Sequence, residues 1–226
     1  MKLKAYKKID LHCHTSYSDG SVSPGDLVNL AEMSGIDAVA ITDHDTFSGA
    51  EKVYSFKSNV KVLVAAEASC YDFVRGNKVH ILCYNVKDFN RMNKIFSRTV
   101  ASRIDAGIRA FKKVKQIYSI PDDMVYRYAL DSNCIYKQHI MHALMDAGYA
   151  EDIYGEVFDD LFNSQYGHAY EKTEYPDVFH VIEEVHRSGG IAVMAHLSEY
   201  SGMYLMQELC EKKVIDGIEV CHPRNK

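Results

Sequence analysis

Two histidines spaced i, i+2, His12 and His14, followed by Asp19, form the stretch of this 226-residue sequence best equipped for chemistry. The run Ile9-Asp10-Leu11-His12-Cys13-His14-Thr15-Ser16-Tyr17-Ser18-Asp19-Gly20 reads as a strand entering a Ser/Thr-rich turn. On an extended strand, side chains at i and i+2 share a face, so His12 and His14 project together while Cys13 turns away. Two neutral imidazoles with a carboxylate one turn later make the kernel of a site for a divalent transition metal. Alone, His-x-His is weak, because a strand can carry two histidines for structural reasons. Repetition strengthens it: other strand-like segments of the chain also end in ligand-type residues.

The elements that must position these residues follow a regular rhythm. Residues 22–34 read as a helix with Ser23 as N-cap, Pro24 at its first position and Gly35 just past its end. Leu27, Leu30, Ala31 and Ser34 give it one core-facing stripe. Residues 38–42 form a continuous apolar run, a strand buried on both faces, and lead into Asp43-His44-Asp45-Thr46. A helix over 47–57 precedes a strand over 60–67 that ends in Glu67, and a strand over 78–84 carries His80 near its beginning. This alternation predicts parallel strands joined by right-handed crossovers. In parallel α/β barrels functional residues gather at the carboxyl ends of strands, which places His12, His14, His44 and Glu67 on one rim.

From 87 to 170 the strand signals stop and helices dominate, over 92–118, 122–130, 136–147 and 152–162. This segment reads as an inserted cap over the barrel mouth. Its basic residues, Arg98, Arg103, Arg109, Lys112, Lys113 and Lys115, fit a solvated amphipathic face or a groove that tracks a phosphate backbone. After Pro176 the rhythm returns: a helix over 177–188 stopped by Gly189-Gly190, a strand over 191–196 ending in His196, a helix over 203–212, and a strand over 214–223 containing His222. The expected organisation is a first half-barrel over 1–86, a helical insertion over 87–170 and a second half-barrel over 171–226.

Composition excludes several classes. Hydrophobic residues make up 47% and charged residues 25%, ordinary for a soluble globular chain. No apolar run approaches the roughly 18 residues a membrane span requires, and the basic segment Met1–Lys8 lacks the apolar core of a secretion signal. Six scattered cysteines without C-x-x-C suit reduced thiols, hence a cytoplasmic location. Cys13 and Cys221, although beside histidines, are expected in the core. A net charge of -5 argues against broad adhesion to nucleic acid.

The segments Asp10-Leu11-His12-Cys13-His14-Thr15 with Ser18-Asp19-Gly20, Ile41-Thr42-Asp43-His44-Asp45, the strand ending in Glu67, and Val79-His80-Ile81-Leu82 closely resemble the PHP (polymerase and histidinol phosphatase) family. Lys137-Gln138-His139-Ile140, Gly189 to His196 and Gly217-Ile218-Glu219-Val220 extend the resemblance over nearly the whole chain. It implies an α/β fold, a distorted (β/α)7 barrel with an inserted helical cap, and a cluster of two or three divalent ions of Mn, Fe or Zn. Carried over by resemblance, His12 and His14 bind a first metal and Glu67 bridges it to a second. His80 and His139 complete the second, and Asp19 with His44 holds a third. His196 falls outside this ligand set, where it contacts phosphate or protonates a leaving group. Family members end in a further strand with an Asp-x-His pair that is not found here, so the barrel is expected to be C-terminally truncated with its last strand missing. The usual Arg-Pro before the insertion histidine is replaced by Lys137-Gln138.

Counted without the family, the seven candidate ligands include only two carboxylates, Asp19 and Glu67. Two or three divalent cations among them leave a positive site suited to a phosphate ester. The expected function is a metal-dependent phosphoesterase that hydrolyses a phosphomonoester or phosphodiester of a small nucleotide by a metal-activated hydroxide, with His196 and Glu67 as catalytic residues. The alternatives are a short-oligonucleotide 5'-3' exonuclease and a catalytically impaired or non-catalytic metal-binding fragment.

Overall fold

The computed structural model describes residues 8–198 and 202–222. Most of the basic segment Met1–Lys8, and Pro223 at the end of the expected last strand, lie outside the described residues. Six strands form one sheet in sequence order: β1 (Ile9–Cys13), β2 (Ala38–Ile41), β3 (Lys61–Asp72), β4 (Asn77–Tyr84), β5 (Ile191–Met194) and β6 (Gly217–Ile218). Helix α1 (Pro24–Met33) is capped by Ser23, whose side chain accepts from Asp26 N, and stops before Gly35 at φ +66°. Its buried face is Val28 and Ala31, with Leu27 packed alongside. Leu30 and Ser34, expected on the core stripe, are exposed. Helix α2 (Ser48–Val53) is shorter than the expected 47–57.

The expectation of parallel strands fails at β3. Strand β3 runs five residues beyond Glu67, and β4 pairs with it antiparallel, Glu67 opposite Leu82 and Ser69 opposite His80. Only four residues separate the two strands, far fewer than the dozen or so a parallel crossover requires. The turn is built locally: Asp72 Oδ1 accepts from Val74 N and Arg75 N, and Gly76 takes φ +73°. Glu67 therefore sits in mid-strand rather than at a carboxyl end. Strand β5 is antiparallel to β4, and β6 parallel to β5.

The sheet is curled. In a flat sheet with strands about 4.8 Å apart, β1 and β6 would lie roughly 24 Å from each other. Instead His12 at the end of β1 touches Glu219, which follows β6, at 2.9 Å. Curling brings all six strands around one hollow, as a distorted barrel does.

Between β4 and β5 lie α3 (Phe89–Ile117), α4 (Asp122–Tyr126), α5 (Lys137–Asp146), α6 (Glu156–Phe162) and α7 (Val178–Arg187); α8 (Met203–Glu211) joins β5 to β6. The 29-residue α3 spans about 43 Å. Its first turns place Met92 and Phe96 in the core formed by β3, β4, β5 and α7. Its last turns place Ala110, Phe111 and Val114 in a separate apolar cluster with α5 and α6. One rigid helix thus ties the helical layer to the sheet. Several of its basic residues face solvent with acidic partners: Arg109 and Lys113 pair with Glu171, and Lys115 with Asp122. Arg103 alone among these pairs turns inward. Cys221 is exposed, not in the core. Among the described residues no helix is long and apolar enough to cross a membrane.

Candidate metal centre

The turn after β1 folds back tightly, with Ser18 N and Gly20 N both donating to Thr15 O at 3.0 Å. A Cβ on Gly20 would lie 2.6 Å from the His14 carbonyl, so glycine is required there. Asp43, buried after β2, accepts from Thr15 N (2.7 Å), Thr15 Oγ1 (2.6 Å) and Ser18 Oγ (2.7 Å). Burial pushes its carboxyl up despite these donors. Asp43 is therefore spent on holding the turn that presents His14 and Asp19. Gly49 in α2 makes room for it, since a Cβ there would meet Asp43 Oδ2 at 2.2 Å.

Glu67 is the hub of the site, with its side chain only 1% exposed. Its Oε1 lies 2.8 Å from His196 Nε2, 2.9 Å from His80 Nδ1 and 3.4 Å from His12 Nε2. Its Oε2 lies 3.1 Å from His14 Nε2 and 3.1 Å from His44 Nδ1. Asp19 stands on the far side, 3.3 Å from His14 Nδ1 and 3.7 Å from His44 Nε2. Burial alone would raise the Glu67 carboxyl, but His80 and His44 outweigh it and hold it well below the usual range. Burial alone would lower His12, but Glu219 and Glu67 carry it up to about 10. The carboxylates draw whatever positive charge the site can hold.

The donor set fits divalent cations. His12 Nε2 and His14 Nε2 face each other at 3.2 Å, as do His80 Nδ1 and His196 Nε2. Ligand atoms around a tetrahedral Zn²⁺ sit roughly 3.3–3.6 Å apart at ordinary bond lengths. His44 Nδ1 is buried without a hydrogen bond among the described residues, although Glu67 Oε2 is near, so its lone pair is available. Three triads among the described residues have ligand atoms mutually within 4.8 Å: His12, Glu67 and His196; His14, His44 and Glu67; and His12, Glu219 and His222.

His139 stands near Asp19 and the Ser18 backbone, and its buried Nε2 has no hydrogen bond among the described residues, but no contact of its ring with Glu67 is present among them. Its Nδ1 accepts from Tyr136 N at 3.2 Å, capping α5, so its neutral tautomer carries the proton on Nε2 and offers no lone pair inward. Burial lowers its pKa to about 4. The imidazole that stands beside His80 and Glu67 is His196, with φ 22° just past β5. The group around Glu67 thus includes His196, which the family resemblance places outside the ligand set.

Glu219 was not singled out by the sequence reading, though it too follows a strand. Its Oε1 accepts from His12 Nδ1 and its Oε2 accepts from His196 N at 2.8 Å, so it fixes the tautomer of His12 and the loop carrying His196. His222 packs its ring 5.3 Å from His12 and 5.2 Å from His196. Glu219→Ala is expected to weaken metal affinity by about 10–100-fold, as loss of a carboxylate behind a ligating histidine does. Metal titration followed by calorimetry checks this; unchanged affinity would show that Glu219 is only packing.

A second network reaches the site from the helical layer. Arg103 on α3 donates through one terminal nitrogen to Asp45 Oδ2 (2.6 Å) and Ser69 Oγ (2.8 Å). Asp45 follows His44, and Ser69 lies two residues from Glu67. The guanidinium stacks on Tyr136, 4.8 Å from the ring centre. That ring lies 5.9 Å from His44, nearly parallel to it.

Beyond the histidines opens a cavity of about 790 Å³, which Lys78, Arg103, Lys137, Gln138, Tyr154 and Tyr175 help to line. Burial first, then Lys78 and Arg103, bring the Lys137 ammonium down from 10.5 to about 8. The unfolded chain then binds more protons than the folded one between those values, so Lys137 adds stability as pH rises from about 8 to 10.5, and opposes folding below that window. The stability of the native chain relative to Lys137→Met should therefore increase across that range. Paired melting curves over pH test this, and a pH-independent difference would refute it.

A model of the PHP domain matches residues 10–193. The chain is 31% identical over 218 residues to a phosphoribosyl 1,2-cyclic phosphate 1,2-diphosphodiesterase of Eggerthella lenta, covering 95% of this chain and 82% of that protein. It is 29% identical to a 5'-3' exoribonuclease of Haemophilus influenzae, covering 95% of this chain and 79% of the relative. A solved structure from Bifidobacterium adolescentis, assigned as a metal-dependent phosphoesterase, superposes with a TM-score of 0.83 at 27% identity, over 97% of this chain and 79% of the other. With the family model covering most of its length and the same histidine-bearing segments gathered in one hollow, the chain belongs to the PHP domain family.

Proposed function

We propose that this chain is a metal-dependent phosphoesterase that hydrolyses a phosphate ester of a small nucleotide. The observation that carries this reading is Glu67, one buried carboxylate with five imidazole nitrogens within 3.4 Å. With Asp19 it supplies two negative charges, fewer than two or three divalent cations bring, so the loaded site attracts a phosphate. His12, His14, Asp19, His44, Glu67, His80 and His196 hold the cations, Mn, Fe or Zn. Bound there, divalent cations supply Lewis acidity: an acidified water near neutral pH and countercharge for phosphoryl oxygens.

The chain's own residues do the rest. Glu67 presents one oxygen to each side of the cluster. Glu219 keeps His12 in the tautomer whose Nε2 faces inward. Residues 87–170 act as a cap that walls the cavity and excludes water from the ester, over a sheet formed by residues 1–86 and 171–226. The phosphodiesterase and exoribonuclease names of the two relatives support a phosphate ester as the bond attacked. The cavity has room for a nucleotide-sized molecule.

The test couples elemental analysis with a substrate panel. The purified chain, loaded with Mn²⁺ or Zn²⁺, is expected to hold two or three ions and to hydrolyse nucleotide esters, with activity lost to a chelator and restored by metal. Turnover that rises with oligonucleotide length and falls steeply with salt would favour an exonuclease. Full metal content with no hydrolysis of any ester would sink the enzymatic reading.

A further inference from the structure

Among the described residues six imidazoles line the cavity: His12, His14, His44, His80, His196 and His222. Five of them turn a nitrogen to Glu67 within 3.4 Å. The sixth, His222, stands outside that group and packs against two of its rings, 5.3 Å from His12 and 5.2 Å from His196 between ring centres. Glu219 is beside it: an oxygen of Glu219 and a nitrogen each of His12 and His222 lie mutually within 4.8 Å. Burial alone would raise the Glu219 carboxyl, but His12, the His196 N–H and, to a smaller degree, His222 hold it below the usual range.

Hydrolysis of a phosphate ester puts negative charge in two places. Cations at Glu67 meet the phosphoryl oxygens, while the leaving oxygen, as its bond to phosphorus breaks, gains from a hydrogen-bond donor of its own. The five rings around Glu67 are committed to the cluster. His139 spends its Nδ1 on the start of α5. His222 is then the imidazole on the cavity wall that is next to the cluster without being part of it. An imidazole carries at least one N–H whether neutral or protonated, so its capacity to donate does not depend on pH.

We propose that His222 is a further catalytic residue, whose ring N–H hydrogen-bonds the leaving oxygen of the ester and stabilises the charge that develops there. Glu219 holds the ring at its station beside His12. His222 thereby takes the leaving-group side expected of His196, whose Nε2 lies 2.8 Å from Glu67 Oε1. The inference rests on the phosphoesterase reading, since it assigns the reacting phosphate to the cluster around Glu67.

The test uses the metal-loaded full chain and esters of the class that the native chain hydrolyses, made with graded leaving groups from nitrophenyl to alkyl. A nitrophenolate leaves readily as an anion, whereas an alkoxide needs a donor. In His222→Ala, kcat/KM for the alkyl ester is expected to fall by about 10²-fold or more relative to that for the nitrophenyl ester, the scale of a lost transition-state donor. His222→Gln keeps an N–H and is expected to lie between. Each ratio is read on one preparation, so a smaller folded or loaded fraction cancels. Elemental analysis is expected to give His222→Ala the metal content of the native chain. A ratio unmoved in His222→Ala overturns the proposal. Loss of an ion from that variant overturns it too, because His222 would then be a ligand beside His12 and Glu219. A native chain that hydrolyses no ester removes the function and this role together, whereas an active native chain with an unmoved ratio in the variant removes only the role of His222.

Discussion

Glu67→Gln is expected to abolish most of the metal binding and, with it, the activity. The carboxylate is the one group that touches every part of the cluster, and both its oxygens are used. An amide offers one neutral oxygen and, in place of the other, an NH₂ that donates to imidazole lone pairs instead of leaving them for a cation. Metal content should fall to at most one ion per chain, and kcat/KM by about 10³ or more, the scale at which removal of a preorganised electrostatic group is felt. The metal-free variant should nonetheless melt close to the metal-free native chain, because the amide hydrogen-bonds where the carboxylate did. What it should lose is the rise in Tm that metal confers by binding the folded state. A variant that keeps its full metal complement would remove Glu67 from the centre of the site.

Arg103→Met is expected to destabilise the fold and loosen the cluster together. The Arg103–Asp45 pair is largely shielded from water, with the Arg103 side chain 13% and the Asp45 side chain 1% exposed. Burial raises the Asp45 carboxyl and Arg103 opposes that, so removing the guanidinium leaves a buried acid without its counter-ion. Breaking a buried pair from one side costs about 3–5 kcal/mol, which for a chain of this size lowers Tm by about 10 °C. The same change frees Asp45 beside His44 and Ser69 near Glu67, so metal affinity should fall as well. Arg103→Met with Asp45→Asn should recover much of the Tm, since no unpaired charge remains, but not the full affinity. If the single variant melts like the native chain, the helical layer is not anchored through this residue.

Much of this was legible in order along the chain. Ser23, Pro24 and Gly35 bound α1 because capping and positive φ are local demands. The pairing of His12 with His14 follows from strand geometry and needs no distant partner. His139 lies in the first turn of α5 and His196 just past β5, and nothing in their sequence neighbours tells which one meets Glu67. That is decided by Tyr136 N, which takes the His139 lone pair, and by the loop after β5, which turns His196 inward.

Glu219 and Arg103 were missed for a related reason. Glu219 matters only because the sheet curls until β6 meets β1, and no local periodicity encodes that closure. Arg103 looks like its basic neighbours on α3; its role depends on which side of a long helix meets Asp45. The β3–β4 hairpin had a local signal in Asp72 and Gly76, overridden in the sequence reading by the rhythm of alternating elements.

By itself the sequence determined the types of candidate ligand, the strands that carry His12, Glu67 and His80 or lead into His14 and His44, and the excess of imidazole over carboxylate that suits a phosphate. These are properties of composition and short-range geometry. The tertiary structure decided which nitrogens converge on Glu67 and that Asp43 is turned to the loop after β1 while Asp19 and Glu219 reach the histidines. Those outcomes depend on sheet curvature and helix rotation, which are set by packing between residues far apart in the chain.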